Sequence, residues 1–235
     1  MTDSALNNEG LAARLDRLVS PFYDRDGITI YNADCRDVLP MLGKFDLLLT
    51  DPPYGMNYKP DKSSDNNTNR STRKWKPIVG DDEPFDPSVL PECESRILWG
   101  ANWYAPSLPV SGGWLVFNKR GDGQPSNNSY GDCELAWTNV TGATRLFSWM
   151  WHGAGRWQSE PVLHPNQKPL ALMKWCCSLV PEAKSVLDPF MGSGTTLVAA
   201  KLLGLRAVGI EINREYCEAA VERLRQGVLD FGSEG

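Results

Sequence analysis

Ser185-Val-Leu-Asp-Pro-Phe-Met-Gly-Ser-Gly-Thr-Thr196 carries the clearest strand–loop–helix signal in the chain. It opens as a β-rich run, Ser185–Asp188, and passes through glycines at 192 and 194. It then enters Thr195–Leu203, an apolar stretch that predicts a helix ended by Gly204. A second unit follows at once: a strand over Arg206–Ile212, then a helix capped by Asn213 and running to about Leu224. Upstream, Pro169 starts a predicted helix that Pro181 stops. Earlier strand candidates are Ile28–Tyr31, Phe45–Thr50, Arg96–Trp99, Trp114–Asn118, Glu134–Thr138 and Arg145–Trp151. Val38–Leu42 reads as a helical turn, and residues 1–20 as a polar start leading into one amphipathic helix that Pro21 ends. Strands alternating with helices predict an α/β domain with a mostly parallel sheet.

The 235 residues are expected to form a single domain, 1–235, with one polar insert at about 55–82. Hydrophobic residues make up 41% and charged residues 23%, an ordinary soluble composition. No run of 18 apolar residues and no apolar leader is present, so neither a membrane span nor a signal peptide is expected. Six scattered cysteines with no CxxC pair, and two histidines, argue against a metal site. They fit a reduced, cytoplasmic protein. The net charge of −5 is unevenly divided. Between Gly55 and Gly80 stand the bases Lys59, Lys62, Arg70, Arg73, Lys74 and Lys76 against only Asp61 and Asp65. An acidic body with one basic loop points to a local polyanion contact. A solvated insert would carry the same charges.

Asp51-Pro-Pro-Tyr54 follows the predicted strand Phe45–Thr50 directly. Groups at the carboxyl end of a parallel strand face the crevice where open α/β sheets bind ligands. A carboxylate, a fixed proline carbonyl and an aromatic ring suit a flat heterocycle bearing an amino group. The glycine loop lacks the lysine of a phosphate-binding loop, because Thr195 stands there. It also lacks the third glycine of a dinucleotide fingerprint, because Leu197 replaces it. Glu211, at the end of the next predicted strand, is placed to bind ribose hydroxyls. A ribose-bearing cofactor without a pyrophosphate matches S-adenosylmethionine.

These motifs resemble those of the β-type DNA amino-methyltransferases: Asp51-Pro-Pro-Tyr54, His164-Pro-Asn-Gln-Lys-Pro169, and Asp188 to Thr196. The resemblance spans about residues 28–225. It implies a Rossmann-like class I methyltransferase domain, mostly parallel with an antiparallel strand, in a circularly permuted order with the catalytic motif before the cofactor loop. It implies catalytic roles for Asp51, Pro52, Pro53 and Tyr54 and cofactor contacts at Asp34, Cys35, Asp51, Lys168, Asp188, Phe190, Gly192, Ser193, Gly194, Thr195, Thr196 and Glu211. Within that set, Asp34 accepts from the cofactor's adenine amine. Thr195 and Thr196 hold its carboxylate, and Lys168 lies near its methionine end. The implied reaction is methylation of the N6 amine of an adenine flipped out of DNA, with no metal. The alternatives are cytosine N4, an RNA amine, or a non-catalytic binding module. The chain departs from the family between His152 and Leu163, which is too short for a separate recognition region. The basic insert is the expected substitute, with Asn66, Asn67 and Asn69 as base readers and Trp75 as a stacking residue. Lys119-Arg120 is a further possible phosphate contact.

Overall fold

A computed structural model describes residues 20–57, 78–120, 131–152, 155–156 and 162–226. The amphipathic segment before residue 20 lies outside the described residues. So do Lys59, Lys62, Arg70, Arg73, Lys74, Lys76, Asn66, Asn67, Asn69 and Trp75 of the insert.

The strands in chain order are β1 (Tyr23–Arg25), β2 (Ile28–Tyr31), β3 (Leu47–Thr50), β4 (Ser95–Trp99), β5 (Trp114–Asn118), β6 (Cys133–Thr138) and β7 (Arg145–Ser148). They continue with β8 (Trp151–His152), β9 (Gly155–Arg156), β10 (Ser185–Asp188) and β11 (Arg206–Ile210). The helices are α1 (Cys35–Val38), α2 (Leu170–Ser178), α3 (Thr195–Leu202) and α4 (Arg214–Arg225). Nine strands form one sheet in the order β1-β2-β11-β10-β3-β4-β6-β5-β7, and β8 and β9 pair separately. The run from β2 through β11, β10 and β3 to β4 is parallel throughout. The strand β6 is antiparallel to both neighbours, and β1 is antiparallel to β2. The expected α/β sheet is thus observed, with one more antiparallel strand than expected. That strand, β1, is joined to β2 by Asp26-Gly27, both at positive φ, the turn chemistry of a tight hairpin. The single strand expected over Arg145–Trp151 is split into β7 and β8.

The strands β10 and β3 are adjacent although 134 residues lie between them in the chain. From β10 the chain continues to β11 on one side, whereas β3 and β4 lie on the other. This reversal is a topological switch point, and the crevice at the carboxyl ends of the strands there is where such sheets bind ligands.

The two faces of the sheet are covered differently. Ile28, Ile30, Leu47, Leu49, Ile97 and Trp99 face α2, α3 and α4, which present Leu172, Cys176, Leu197, Ala200, Ala220 and Leu224, all buried. On the other face Leu48, Leu98, Trp137 and Leu187 pack under Leu90, Ala101, Tyr104 and the partly buried Phe85 and Phe190. These come from short turns and loops. Cys176 and Cys177 are buried packing residues on α2. Among the described residues no helix is long and apolar enough to cross a membrane.

The helices α3 and α4 meet at Gly194, the residue before α3. Its φ of +77° lies in the left-handed region, and a Cβ there would stand 2.7 Å from the Ala220 Cβ of α4. A side chain at 194 would force the two helices apart. Gly194→Ala is expected to destabilise the protein by about 2–3 kcal/mol, from backbone strain and overpacking together. Urea denaturation measures this loss, and replacing Gly204, where a Cβ meets nothing within 4 Å but φ is again positive, isolates the backbone share.

Candidate active site

Both sequence motifs begin where adjacent parallel strands end. Asp51 follows Thr50 at the end of β3, and Asp188 closes β10. The Thr50 hydroxyl donates to Asp188 Oδ1 at 2.7 Å, so the two strand ends are tied by side chains as well as by the sheet. Asp188 is buried and also accepts from the Phe190 N–H at 3.2 Å, which fixes the first turn of the glycine loop. Burial raises its carboxyl to about 6, against the hydrogen bonds that lower it.

A cavity of about 350 Å³ opens at this edge, within the usual range for small-ligand sites. One wall is Asp51, Pro52 and Pro53, and the other is Phe190, Gly192, Ile210 and Glu211. Asp34, Cys35 and Phe85 also line it. A smaller recess beside it is lined by Asp51, His164, Lys168, Ser193, Thr195 and Thr196.

Glu211 follows β11 directly. Its Oε2 accepts from the Gly192 N–H at 3.1 Å and its Oε1 from the Asn213 N–H at 2.7 Å. Burial pushes the carboxyl up to about 7. Each oxygen keeps a lone pair for a hydroxyl donor, so a ribose fits here, with Phe190 and Ile210 supplying apolar walls.

Asp51 is the most constrained charge in the site. Its Oδ2 accepts from Lys168 Nζ, while Oδ1 is buried with no hydrogen-bond partner. Burial pushes its carboxyl above the ordinary range, the neighbouring Glu134 adds to this, and Lys168 opposes it. Lys168 is itself buried, which disfavours its charge, but Asp51 and Glu134 together hold it above the usual lysine range. Lys168 was expected near the cofactor's methionine end; the structure places its Nζ on Asp51 and, at 3.0 Å, on Glu134. Lys119, expected as a phosphate contact, is paired with the other oxygen of Glu134 at 3.1 Å. Arg120 lies 3.8 Å from Asp132.

Tyr54 stacks on Trp103, with ring centroids 6.0 Å apart and planes 14° apart. Trp103 is 54% exposed, so the pair presents an aromatic face to solvent beside Asp51-Pro-Pro. Gly100 makes room for it: a Cβ there would lie 2.4 Å from the Tyr54 ring. After Tyr54 the chain is held by Asp81, whose Oδ1 accepts from the N–H groups of Gly55 and Met56, each at 3.1 Å. The Asn57 N–H donates to the Asp81 carbonyl at 2.7 Å. Asp81 thus clamps the neck of the basic insert against Asp51-Pro-Pro-Tyr54.

The other expected contacts have partners within the protein. Asp34 caps α1, accepting from the Arg36 N–H at 2.9 Å, and holds the Arg36 guanidinium. Cys35 is buried against the cavity. Thr195 Oγ1 accepts from Arg223 at 3.0 Å, and Ser193 donates to Gln167 at 3.1 Å. Thr196 is buried at the start of α3, with Met173 Sδ 3.7 Å from its hydroxyl. Sequence reasoning missed Glu134 and Asp81. Neither belongs to a motif, and their partners are distant in the chain. His164 was noted only as part of a motif. It lines both cavities and accepts the Asn166 N–H at Nδ1. Burial, aided by Lys168, lowers it to about 4, so it is neutral near pH 7.

A DNA methylase family profile for N6/N4 methyltransferases matches residues 114–222. The type II methyltransferase M2.MboI of Moraxella bovis is 24% identical over 88% of this chain and 92% of its own length. M.HindIII of Haemophilus influenzae is 53% identical over a shorter stretch, 26% of this chain and 20% of that enzyme. The crystal structure of an M1.HpyAVI–SAM complex covers 84% of this chain and 98% of that one, with 25% identity and a TM-score of 0.52. The cytosine-N4-specific PvuII methyltransferase, at 14% identity and a TM-score of 0.57, shares the fold. Together these matches support a DNA amino-methyltransferase of the β type. Its fold is that of the class I methyltransferases.

The buried acids in this site set a pH dependence. Glu211 titrates near 7 instead of 4.5, and Asp188 near 6 instead of 3.8. On raising the pH, the unfolded chain loses these protons first. Their stabilisation is therefore complete below about pH 4 and is lost as pH rises through about 6 to 7. His164 runs the other way, losing stability as pH falls from 6.5 toward 4. Glu211→Gln should remove the Glu211 share, up to about 3 kcal/mol between pH 4.5 and 7. Thermal unfolding of both proteins across that range, read as their difference, cancels His164.

Proposed function

We propose that the protein transfers a methyl group from S-adenosylmethionine to the N6 amine of adenine in DNA, with the base flipped out of the duplex. The observation that carries this reading is the buried, unpartnered Asp51 Oδ1 on the same cavity as Glu211. It is an acceptor awaiting an N–H donor, beside a place that suits a ribose-bearing cofactor. Glu211 would hold the ribose, Phe190 and Gly192 the flank of the cofactor, and Asp34 and Cys35 its far end. When bound, S-adenosylmethionine supplies an electrophilic sulfonium methyl.

The protein's own residues do the rest. The lone pair of an exocyclic amine is delocalised into its ring, so the amine is a poor nucleophile. Asp51 Oδ1 and the Pro52 carbonyl accept its two N–H bonds and favour a tetrahedral nitrogen whose lone pair is free. Positive charge builds on that nitrogen in transfer, and the fixed Asp51 carboxylate stabilises it at a buried position where such terms are large. Tyr54, backed by Trp103, offers a face on which the flipped base stacks. An aspartate at the head of the motif favours adenine N6 over cytosine N4. The basic insert, clamped at its neck beside Tyr54, is the proposed DNA contact through Lys59, Lys62, Arg70, Arg73, Lys74 and Lys76. A reduced cytoplasmic setting agrees with six free cysteines.

Nucleoside mass spectrometry of DNA incubated with protein and S-adenosylmethionine tests the reading. N6-methyladenine is expected; N4-methylcytosine alone would overturn the choice of base, and no methylated nucleoside would overturn the activity. Asp51→Ala is expected to slow methyl transfer by about 10²–10³ or more, while calorimetry finds cofactor affinity near that of the wild type. Neutralising Arg70, Arg73, Lys74 and Lys76 together should flatten the salt dependence of DNA binding by roughly 3.6 in log–log slope, about 0.9 per contact. Parallel slopes would move the DNA contact elsewhere.

A further inference from the structure

Four charges form a chain leading away from the catalytic carboxylate. Asp51 Oδ2 is bonded to Lys168, Lys168 lies 3.0 Å from Glu134 Oε2, and Glu134 Oε1 lies 3.1 Å from Lys119. Lys168 is 8% exposed, Asp51 18%, Lys119 19% and Glu134 28%. They come from four parts of the chain: the end of β3, the segment before α2, β6, and the residue after β5. Two anions and two cations sum to zero.

Resting on the methyl-transfer reading above, we propose that Glu134 is a positioning residue for the reaction: by sharing Lys168, it keeps the Asp51 carboxylate available to the amine at Oδ1. The physical reason is charge balance. With Lys168 alone beside it, Asp51 would be neutralised by a full cation, and Lys119 would add a second one nearby. The site would then be net positive where positive charge must develop. Glu134 divides the attention of Lys168 and cancels Lys119. Lys168 in turn opposes the rise that burial imposes on the Asp51 carboxyl. Once the N–CH3 bond has formed, the C–S electron pair has left with sulfur and the nitrogen carries the positive charge. One N–H proton must then depart. Should it pass to Asp51, Lys168 retains a charged partner in Glu134.

Other groups also face Asp51. Asp81 raises its carboxyl as Glu134 does, while Tyr54, Tyr104 and the buried Asp188 sense its charge. None of these bonds to Lys168 in the way Glu134 does. Removing each partner of the chain therefore has its own sign. Glu134→Gln removes a negative neighbour, so Asp51 becomes more acidic. The acid limb of kcat against pH is expected to move down by about one unit, with a lower plateau. Lys168→Met leaves the burial of Asp51 unopposed, and the limb is expected to move up by about 1–3 units. A loss that was only structural would lower activity in both variants and move neither limb.

The experiment combines this pH series with a titration that needs no turnover. Aspartate labelled with 13C at the side-chain carboxyl reports Asp51 directly, its signal assigned by its absence in Asp51→Asn. Opposite displacements of the Asp51 titration in Glu134→Gln and Lys168→Met are expected, with cofactor affinity by calorimetry close to wild type in both. Should Glu134→Gln not fold, Lys119→Gln, at the outer end of the chain, is expected to move the titration upward. An Asp51 titration unmoved by every variant that folds would overturn the proposal. A wild-type protein that methylates no DNA would instead overturn the methyl-transfer reading, and the carboxyl titration would still report the coupling.

Discussion

The site depends on the pairing of β3 with β10. Strands with 134 residues between them in the chain are set side by side, Val186 opposite Leu47 and Leu187 opposite Leu48. The pair is pinned at both ends by side chains. At the start, Asp46 accepts from the Ser185 hydroxyl at 2.8 Å and the Lys184 N–H at 2.9 Å, while Ser185 Oγ accepts the Asp46 N–H at 3.1 Å. At the other end Thr50 donates to the buried Asp188. A one-residue slip would break both sets and turn every strand residue to the wrong face. Because this register is fixed, Asp51 and the glycine loop come out on one edge, and the cavity between them follows.

Much of this was legible in the sequence because it rests on local signals. Trp114–Asn118 and Ser185–Asp188 match their strands residue for residue, being short apolar runs bounded by turn residues. Asn213 caps α4 as read, accepting the Glu215 N–H at 3.0 Å. The hairpin strand β1 was overlooked, although Asp26-Gly27 before Ile28 is the local signal for such a turn. Tyr23-Asp-Arg25 is too short and polar to register by periodicity, and only Tyr23 of the three is buried. The splitting of Arg145–Trp151 depends on which partners the backbone finds: β7 lies along β5, whereas Trp151 pairs with Arg156.

The roles of single residues were less legible, because a residue type at a motif position does not state its partner. Lys168 was expected at the cofactor and is found on two carboxylates. Gly194 was expected among the cofactor contacts, and the nearest atom to a side chain there belongs to Ala220 of α4. Asp34 sits on the cavity but spends one oxygen on a helix cap. Glu134 had no signal at all. It stands on an antiparallel strand and meets Lys168, from the segment before α2, only once the sheet is assembled.

Assembly of the sheet also explains why so many carboxyl groups tolerate burial here. Asp188 spreads its charge over a hydroxyl and a backbone N–H, and Glu211 over two backbone N–H groups. Fixed dipoles of this kind soften the desolvation cost without adding a mobile counter-charge. Asp51 is held differently, by a buried cation on one oxygen and by nothing on the other. An acceptor left bare inside a protein costs stability, on the order of 1–3 kcal/mol. Removing a buried partner ordinarily costs more than the ion pair contributes, so a bare oxygen beside a filled one is an unfavourable arrangement for folding alone. It becomes favourable when a donor arrives from outside, and most favourable when that donor gains positive charge as it reacts. The network around Lys168 and Glu134 supplies the condition for this: Lys168 opposes the effect of burial on Asp51, and Glu134 shares that cation so that it does not neutralise Asp51 alone.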